Sequence, residues 1–140
     1  MTHATSFSAV WPARFLSILR IVSGLLFAQH GAQKLFGLFA TPMMHSVPLF
    51  SFMGLGGALE FFGGLLVALG LFTRLVAFIL SGEMAVAYFM FHAPKGFWPI
   101  STGGDLAVLF CFVFLYLAVA GGGAWSLDRA LRGNAPGVPQ

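Results

Sequence analysis

Cysteine is nearly missing from this chain: Cys111 stands alone among 140 residues. A single thiol excludes an intrachain disulfide, a C-x-x-C redox pair and a thiolate metal cage, so redox chemistry would need a bound cofactor or a partner protein. Cys111 itself reads as a small, inert, buried hydrophobe. Charge is equally scarce. Four acidic and seven basic residues make up 8% of the chain, against about 25% in an ordinary globular domain. The cations are scattered and mostly flank apolar runs, which excludes the basic stripe of a nucleic-acid binder. "GLGG" at 54–57 and "GGG" at 121–123 lack the strand and helix setting of a nucleotide-binding fingerprint. Myristoylation and prenylation signals are absent too.

What fills the chain instead is apolar surface: 59% of residues are hydrophobic, and mean hydropathy is +0.92. A helix needs about 20 mainly apolar residues to cross the hydrocarbon core of a bilayer. Four segments reach that length, at roughly 15–38, 48–72, 74–92 and 104–121. These runs are too long and continuous for the alternation of a membrane barrel. The sequence therefore predicts one all-α domain over 1–140, an antiparallel up-down-up-down four-helix bundle in the membrane. Pro42 and Pro48 punctuate the first connection, and Pro94, Gly96 and Pro99 the third. The Thr73-Arg74 turn is short enough to make spans two and three a hairpin. Span one is longer than a signal-peptide core and no clear small-residue cleavage site follows it, so it reads as retained. Arg14, Arg20, Arg74, Arg129 and Arg132 mark one side of the bundle, while only Lys34 and Lys95 mark the other. That asymmetry predicts both termini in the cytoplasm. The chain after Trp125 reads as a short amphipathic turn over 126–132 and a disordered "GNAPGVPQ" end.

Two carboxylates lie inside these spans, Glu60 and Glu83. An ionised group at the bilayer centre costs about 2.5–3.5 kcal/mol on the most lenient scale, so both should face the bundle interior. In "FAQHGAQKLFG" (27–37), His30 and Lys34 are four apart, as are Gln29 and Gln33, so all four project from one side of a helix. At ~1.5 Å rise per residue, Glu60 lies roughly 18 Å above the cytoplasmic end, Glu83 roughly 14 Å and His30 roughly 21–23 Å, with Lys34 one turn higher. His92 and Asp105 sit at the outer ends of spans three and four. Six ionisable groups from four spans thus converge on the outer half of one bundle. Gly56, Gly57, Gly63 and Gly64 surround Glu60 at helical spacing and admit close helix approach, and Gly31 and Gly37 add room in span one.

Each residue also has a plainer reading. Glu60 and Glu83 suit a structural ion pair, and His30 a satisfied interior histidine. Lys34 suits a snorkelling lysine, Asp105 an anion at a helix N-terminus, and His92 an exposed helix end. Met43, Met44 and His45 in "TPMMHSVP" are soft ligands of the kind copper takes, but they lack ligand spacing and read as loop, so no metal site is assigned.

The stretches "LRIVSGLLFAQHGAQKLFG", "GALEFFGGLLVALGLFTRLVA", "FHAPKGFW", "GGDLAVLF" and "GGGAWSLD", in that order, resemble the DoxX family of small bacterial membrane proteins over roughly residues 16–128. Asp105 stands where many relatives carry a glutamate, and the shorter side chain reaches less far toward Lys34. The resemblance implies a four-helix inner-membrane protein similar to the DoxD-type subunit of a thiosulfate:quinone oxidoreductase. On that basis a quinone is the expected cofactor. His30 and Glu60 would hold or protonate its head group, Lys34 would stabilise negative charge, and Glu83 would relay protons. Gln29, Gln33, His92 and Asp105 would line the site. The lipid bilayer, an oxidoreductase partner in the membrane or in solution, and further copies of the chain are the expected partners. Two other readings stay open: a proton or small-solute transporter, and a non-catalytic assembly or anchor subunit.

Overall fold

The computed structural model describes residues 4–39 and 46–133. Met43, Met44, His45 and the "NAPGVPQ" end lie outside the described residues. All regular structure among those described is helical. Helix α1 spans Ala4–Phe36, α2 Phe52–Leu69 and α3 Thr73–Lys95. The short α4 (Pro99–Thr102) precedes α5 (Asp105–Ala120), and α6 (Leu127–Gly133) follows it. Three helices, α1, α2 and α3, are long and apolar enough to cross a membrane. Helix α5 is as apolar but has 16 residues, about 24 Å of rise against a hydrocarbon core of about 30 Å. Gly103 before it (φ +69°) and Gly121 after it (φ +88°) take positive φ values that side chains rarely adopt, and they bound the helix.

Local chemistry sets the other boundaries. The Ser51 hydroxyl accepts the Gly54 N–H at 3.0 Å and caps α2. Gly70, left-handed at φ +73°, ends α2 three residues before α3 begins, so the two form a hairpin. Both long helices after α1 contain one π-helical turn, Leu59–Gly63 in α2 and Tyr88–His92 in α3. Such widened turns occur frequently at functional sites. They carry Glu60 and His92.

Packing of α1 on α2 is nearly backbone on backbone. A Cβ on Gly24 would lie 2.6 Å from the Ala68 nitrogen, and one on Gly64 2.6 Å from the Ala28 nitrogen. Gly31 sits in the same way against the backbone of Gly57 and Phe61. Small residues at this seven-residue spacing bring the two helices together along their length. Gly37 does something else: at φ +66° it ends α1, and among the described residues an added Cβ there would meet the Ser46 nitrogen at 4.0 Å. Helix α5 packs along α3, where the Ser81 hydroxyl donates to the Cys111 carbonyl at 2.8 Å. Phe27, Phe110 and Phe114 meet within ring-centroid distances of 4.8–5.6 Å and join Leu80 and Leu117 in the core. On the outside, Phe62, Phe78 and Phe112 are each at least 60% exposed. Water would be a poor neighbour for that surface, and acyl chains a natural one.

Candidate functional site

Lys34 of α1 and Glu60 of α2 form an ion pair, Nζ donating to Oε1 at 2.6 Å. The close approach at Gly31 makes this reach short. One turn further on, the missing side chain of Gly57 leaves space against the Lys34 Cβ, so the lysine stem lies across α2. The glutamate side chain is 4% exposed and the lysine side chain 27%. Oε2 of Glu60 is buried with no hydrogen-bond partner among the described residues, as is Oε2 of Glu83. A buried carboxylate oxygen without a partner is costly, which makes it a natural acceptor for a proton or a ligand donor.

Glu83 comes from α3, and its Oε1 lies against Gly56, where an added Cβ would be 3.3 Å away. Gly56 is one turn from Glu60 toward the start of α2. Side-chain reach thus lifts the Glu83 carboxylate to or beyond the level of Glu60, although rise counted along the backbone put it lower. Lys34, Glu60 and Glu83 share a cleft of about 380 Å³ between α2 and α3, whose walls include Leu59, Ile79, Val86 and Phe91. Those four wall residues are themselves exposed on the apolar surface. The cleft therefore opens sideways, toward lipid.

A second cavity, of about 180 Å³, lies behind the ion pair and contains His30 and His92, with Phe110 and Gly103 among its walls. Lys34, Glu60, Met84 and Ala87 line both spaces. The ion pair is the polar part of the partition between them. His92 Nδ1 is 3.0 Å from the Thr102 carbonyl, which can only accept, so Nδ1 carries the hydrogen and Nε2 is the nitrogen left for a ligand or proton partner. Gly104 makes room for this arrangement, since a Cβ there would strike the His92 Cβ at 2.8 Å and the Tyr88 ring at 2.9 Å.

Five of the residues singled out in the sequence therefore line two adjoining cavities: His30, Lys34, Glu60, Glu83 and His92. The other three lie apart. Gln29 is exposed on α1. Gln33 turns away and donates weakly from Nε2 to the Phe39 carbonyl at 3.4 Å. Asp105 is exposed in the first turn of α5, lines neither cavity, and sits where the helix dipole favours an anion.

Arg20 was read from the sequence as a flanking cation, and the structure gives it a different place. Its side chain is fully buried. Nε donates to the Gly122 carbonyl at 2.7 Å, Nη2 to Trp125 at 2.7 Å, and Nη1 to Val67 at 2.6 Å and also to Ala68. One guanidinium thus joins α1 to the open carbonyls at the end of α2 and to the loop after α5. Ser17 accepts the Trp125 N–H at 3.0 Å, and a Cβ on Gly123 would lie 2.5 Å from the Ser17 oxygen. Asp128 completes the clasp by accepting the N–H groups of Phe72 at 2.7 Å and Thr73 at 2.8 Å, which caps α3. Partial burial alone would raise the Asp128 pKa, but these N–H groups and nearby Arg132 outweigh it and hold the carboxyl below its ordinary value. A signal for the clasp exists in the sequence: Ser17, Arg20 and Ser23 recur at three-residue spacing on one helix face, and all three are buried.

Comparison with known proteins agrees with this picture. The DoxX family model matches residues 15–93. An uncharacterized protein of Haemophilus influenzae is 42% identical over 128 residues, covering 82% of this chain and 89% of its own. An uncharacterized membrane protein of Mycobacterium tuberculosis is 32% identical, covering 84% and 81% respectively. The inner membrane protein YqjF of Escherichia coli is 33% identical, covering 81% and 89%. No solved structure matches. Three span-length apolar helices, a family match over more than half its length and similarity to membrane proteins of Mycobacterium tuberculosis and Escherichia coli identify this chain as a membrane protein of the DoxX family.

Proposed function

We propose that this chain is the membrane subunit of a quinone-linked oxidoreductase system, with its site on the two faces of the Lys34–Glu60 pair. The carrying observation is a buried ion pair, with an unpartnered carboxylate oxygen, at the base of an apolar cleft that opens toward lipid. A cleft of about 380 Å³ falls within the ~300–1,000 Å³ of small-molecule sites. Its chemistry fits a lipophilic ring with carbonyl oxygens: apolar walls take the ring and tail, and Lys34 offers a positive charge. A bound quinone would supply a two-electron, two-proton acceptor. In this reading Lys34 stabilises negative charge as it develops on the head group. Glu60 and Glu83 relay protons to the cleft, and His30 and His92 pass protons to Glu60 from the second cavity. With one cysteine in the chain, the electrons come from an oxidoreductase partner.

The reading places the chain in a bacterial inner membrane as a single-domain antiparallel four-helix bundle, α5 being the fourth member. Arg14, Arg74, Arg129 and Arg132 at one end support cytoplasmic termini. The assay is photolabelling in nanodiscs with an azido-quinone, followed by peptide mapping. Label on 52–59 and 79–91, competed by unmodified quinone, supports the reading. Absence of label there overturns it. The two cavities parted by one ion pair favour a second reading, a proton or small-solute path. Flux in proteoliposomes that is lost in Glu60→Gln, without quinone labelling, would establish that one instead.

A further inference from the structure

We propose that the arginine-rich end of the molecule binds the head group of an anionic phospholipid, with Arg129 at the centre of the site. Two adjoining cavities lie where the start of α1, the start of α3 and α6 meet. One, of about 190 Å³, contains Arg74, Arg129 and Arg132. The other, of about 480 Å³, contains Arg14, Arg129 and Trp125. Arg129 lines both. Each cavity is thus bordered by at least two guanidinium groups, whose planar forks match phosphate oxygens in a bidentate way.

The donors of these arginines are largely unengaged, in contrast to those of Arg20. Arg74 donates from Nη1 to the Ala118 and Val119 carbonyls, which fixes the orientation of the group. Arg14 lies over the Trp11 ring at 5.3 Å. The Arg129 side chain makes no hydrogen bond or ion pair among the described residues. A guanidinium carries five N–H donors, so Arg14, Arg74, Arg129 and Arg132 all have donors to offer a ligand. Among the described residues the carboxylate beside them is Asp128, and both its oxygens already accept backbone N–H groups. Four cations against one anion leave a net charge of about +3, enough for a ligand with two phosphates.

Position selects the source of the phosphate. Trp11 and Trp125 are 41% and 54% exposed at this end of the helices, the level at which indole rings mark the membrane interface. A ligand here has its head among the arginines and its tails beside the exposed apolar faces of α1 and α3. Two cavities on either side of one arginine, each with room for a phosphate, suit a diphosphatidylglycerol-type lipid, which carries two phosphodiesters on a short linker. Basic pockets at helix ends are a known physical route to such recognition. This site is independent of the quinone reading.

Native mass spectrometry of the full chain in neutral detergent is the test. The added ligands are diphosphatidylglycerol, phosphatidylglycerol, phosphatidylcholine and inorganic pyrophosphate. Tryptophan emission in a Trp98→Phe background provides a second readout from Trp11 and Trp125. The expected order of affinity is diphosphatidylglycerol, then phosphatidylglycerol, with phosphatidylcholine at least tenfold weaker than either. Arg129→Gln should weaken diphosphatidylglycerol at least tenfold, and Arg14→Gln/Arg132→Gln should do so by a similar factor. These residues are exposed, and unchanged melting of each variant will separate lost binding from lost fold. Equal retention of phosphatidylcholine and the anionic lipids, or an unchanged affinity in Arg129→Gln, would overturn the site. Pyrophosphate binding as tight as the lipid and dependent on Arg129 would overturn the lipid assignment and make it a site for soluble phosphates.

Discussion

Replacing Arg20 by alanine should be the most damaging single substitution in the chain. Four carbonyls, those of Val67, Ala68, Gly122 and Trp125, lose a cationic donor at once. A hydrogen bond to a charged group contributes about 1.5–3 kcal/mol, so independent bonds would sum to about 6–12 kcal/mol. The real loss is smaller. Removing the guanidinium also removes its desolvation penalty, and neighbouring bonds to one group are not additive. A net destabilisation of about 4 kcal/mol is a conservative figure, and it is a large share of the ~5–15 kcal/mol that holds a typical fold. At about 3–5 °C per kcal/mol for a chain of this size, the melting temperature should fall by about 12–20 °C. Thermal unfolding of detergent-solubilised protein measures it directly. Arg20→Lys keeps the charge but not the fork, and should recover about half of the loss. Amide exchange should rise first at Trp125 and Asp128, whose N–H groups bond to Ser17 and Gly70. An Arg20→Ala protein that melts within about 2 °C of the parent would refute the clasp as a structural element.

Other consequences concern charge. Lys34→Met leaves Glu60 buried without its cation and should cost about 3 kcal/mol, while Lys34→Met/Glu60→Leu should regain most of that stability; a double-mutant cycle on melting temperature showing no coupling would count against the pair. Asp128, with a folded pKa below its unfolded value, contributes stability that is full above the ordinary carboxylate range and is lost as pH falls below that range through the depressed folded value. The parent should therefore melt above Asp128→Asn at neutral pH, and the two curves should converge below about pH 4. A gap that stays constant down to pH 3 would contradict this.

Much of this molecule is legible in its sequence because membrane helices obey few rules. Length, apolar content and glycine spacing define α1, α2 and α3, and the expense of buried charge points to His30, Lys34, Glu60 and Glu83. Helix geometry alone went wrong where side chains have a choice of partner. Gln29 and Gln33 share the helical register of His30 and Lys34, yet one faces outward and the other bonds to Phe39. Rise per residue measured backbone levels, and the long reach of Glu83 falls outside it. The π-helical turns at Glu60 and His92 have no signature in composition, since they follow from tertiary packing. Arg20 was obscured by a sound rule: arginine near a helix end usually flanks the membrane. What makes it an exception is the loop 121–126, which supplies two of the four carbonyls of its cradle from sequence more than a hundred residues away.

The central claim is that the Lys34–Glu60 cleft receives a quinone from the lipid phase. Equilibrium binding of a long-chain ubiquinone or menaquinone to the protein in nanodiscs, beside Glu60→Gln and an empty-disc control, tests it most directly. Saturable binding of one quinone per chain, weakened at least tenfold by Glu60→Gln while melting stays near that of the parent, is the expected result. Quinone partitioning equal to that of empty discs would contradict the claim, as would binding indifferent to Glu60.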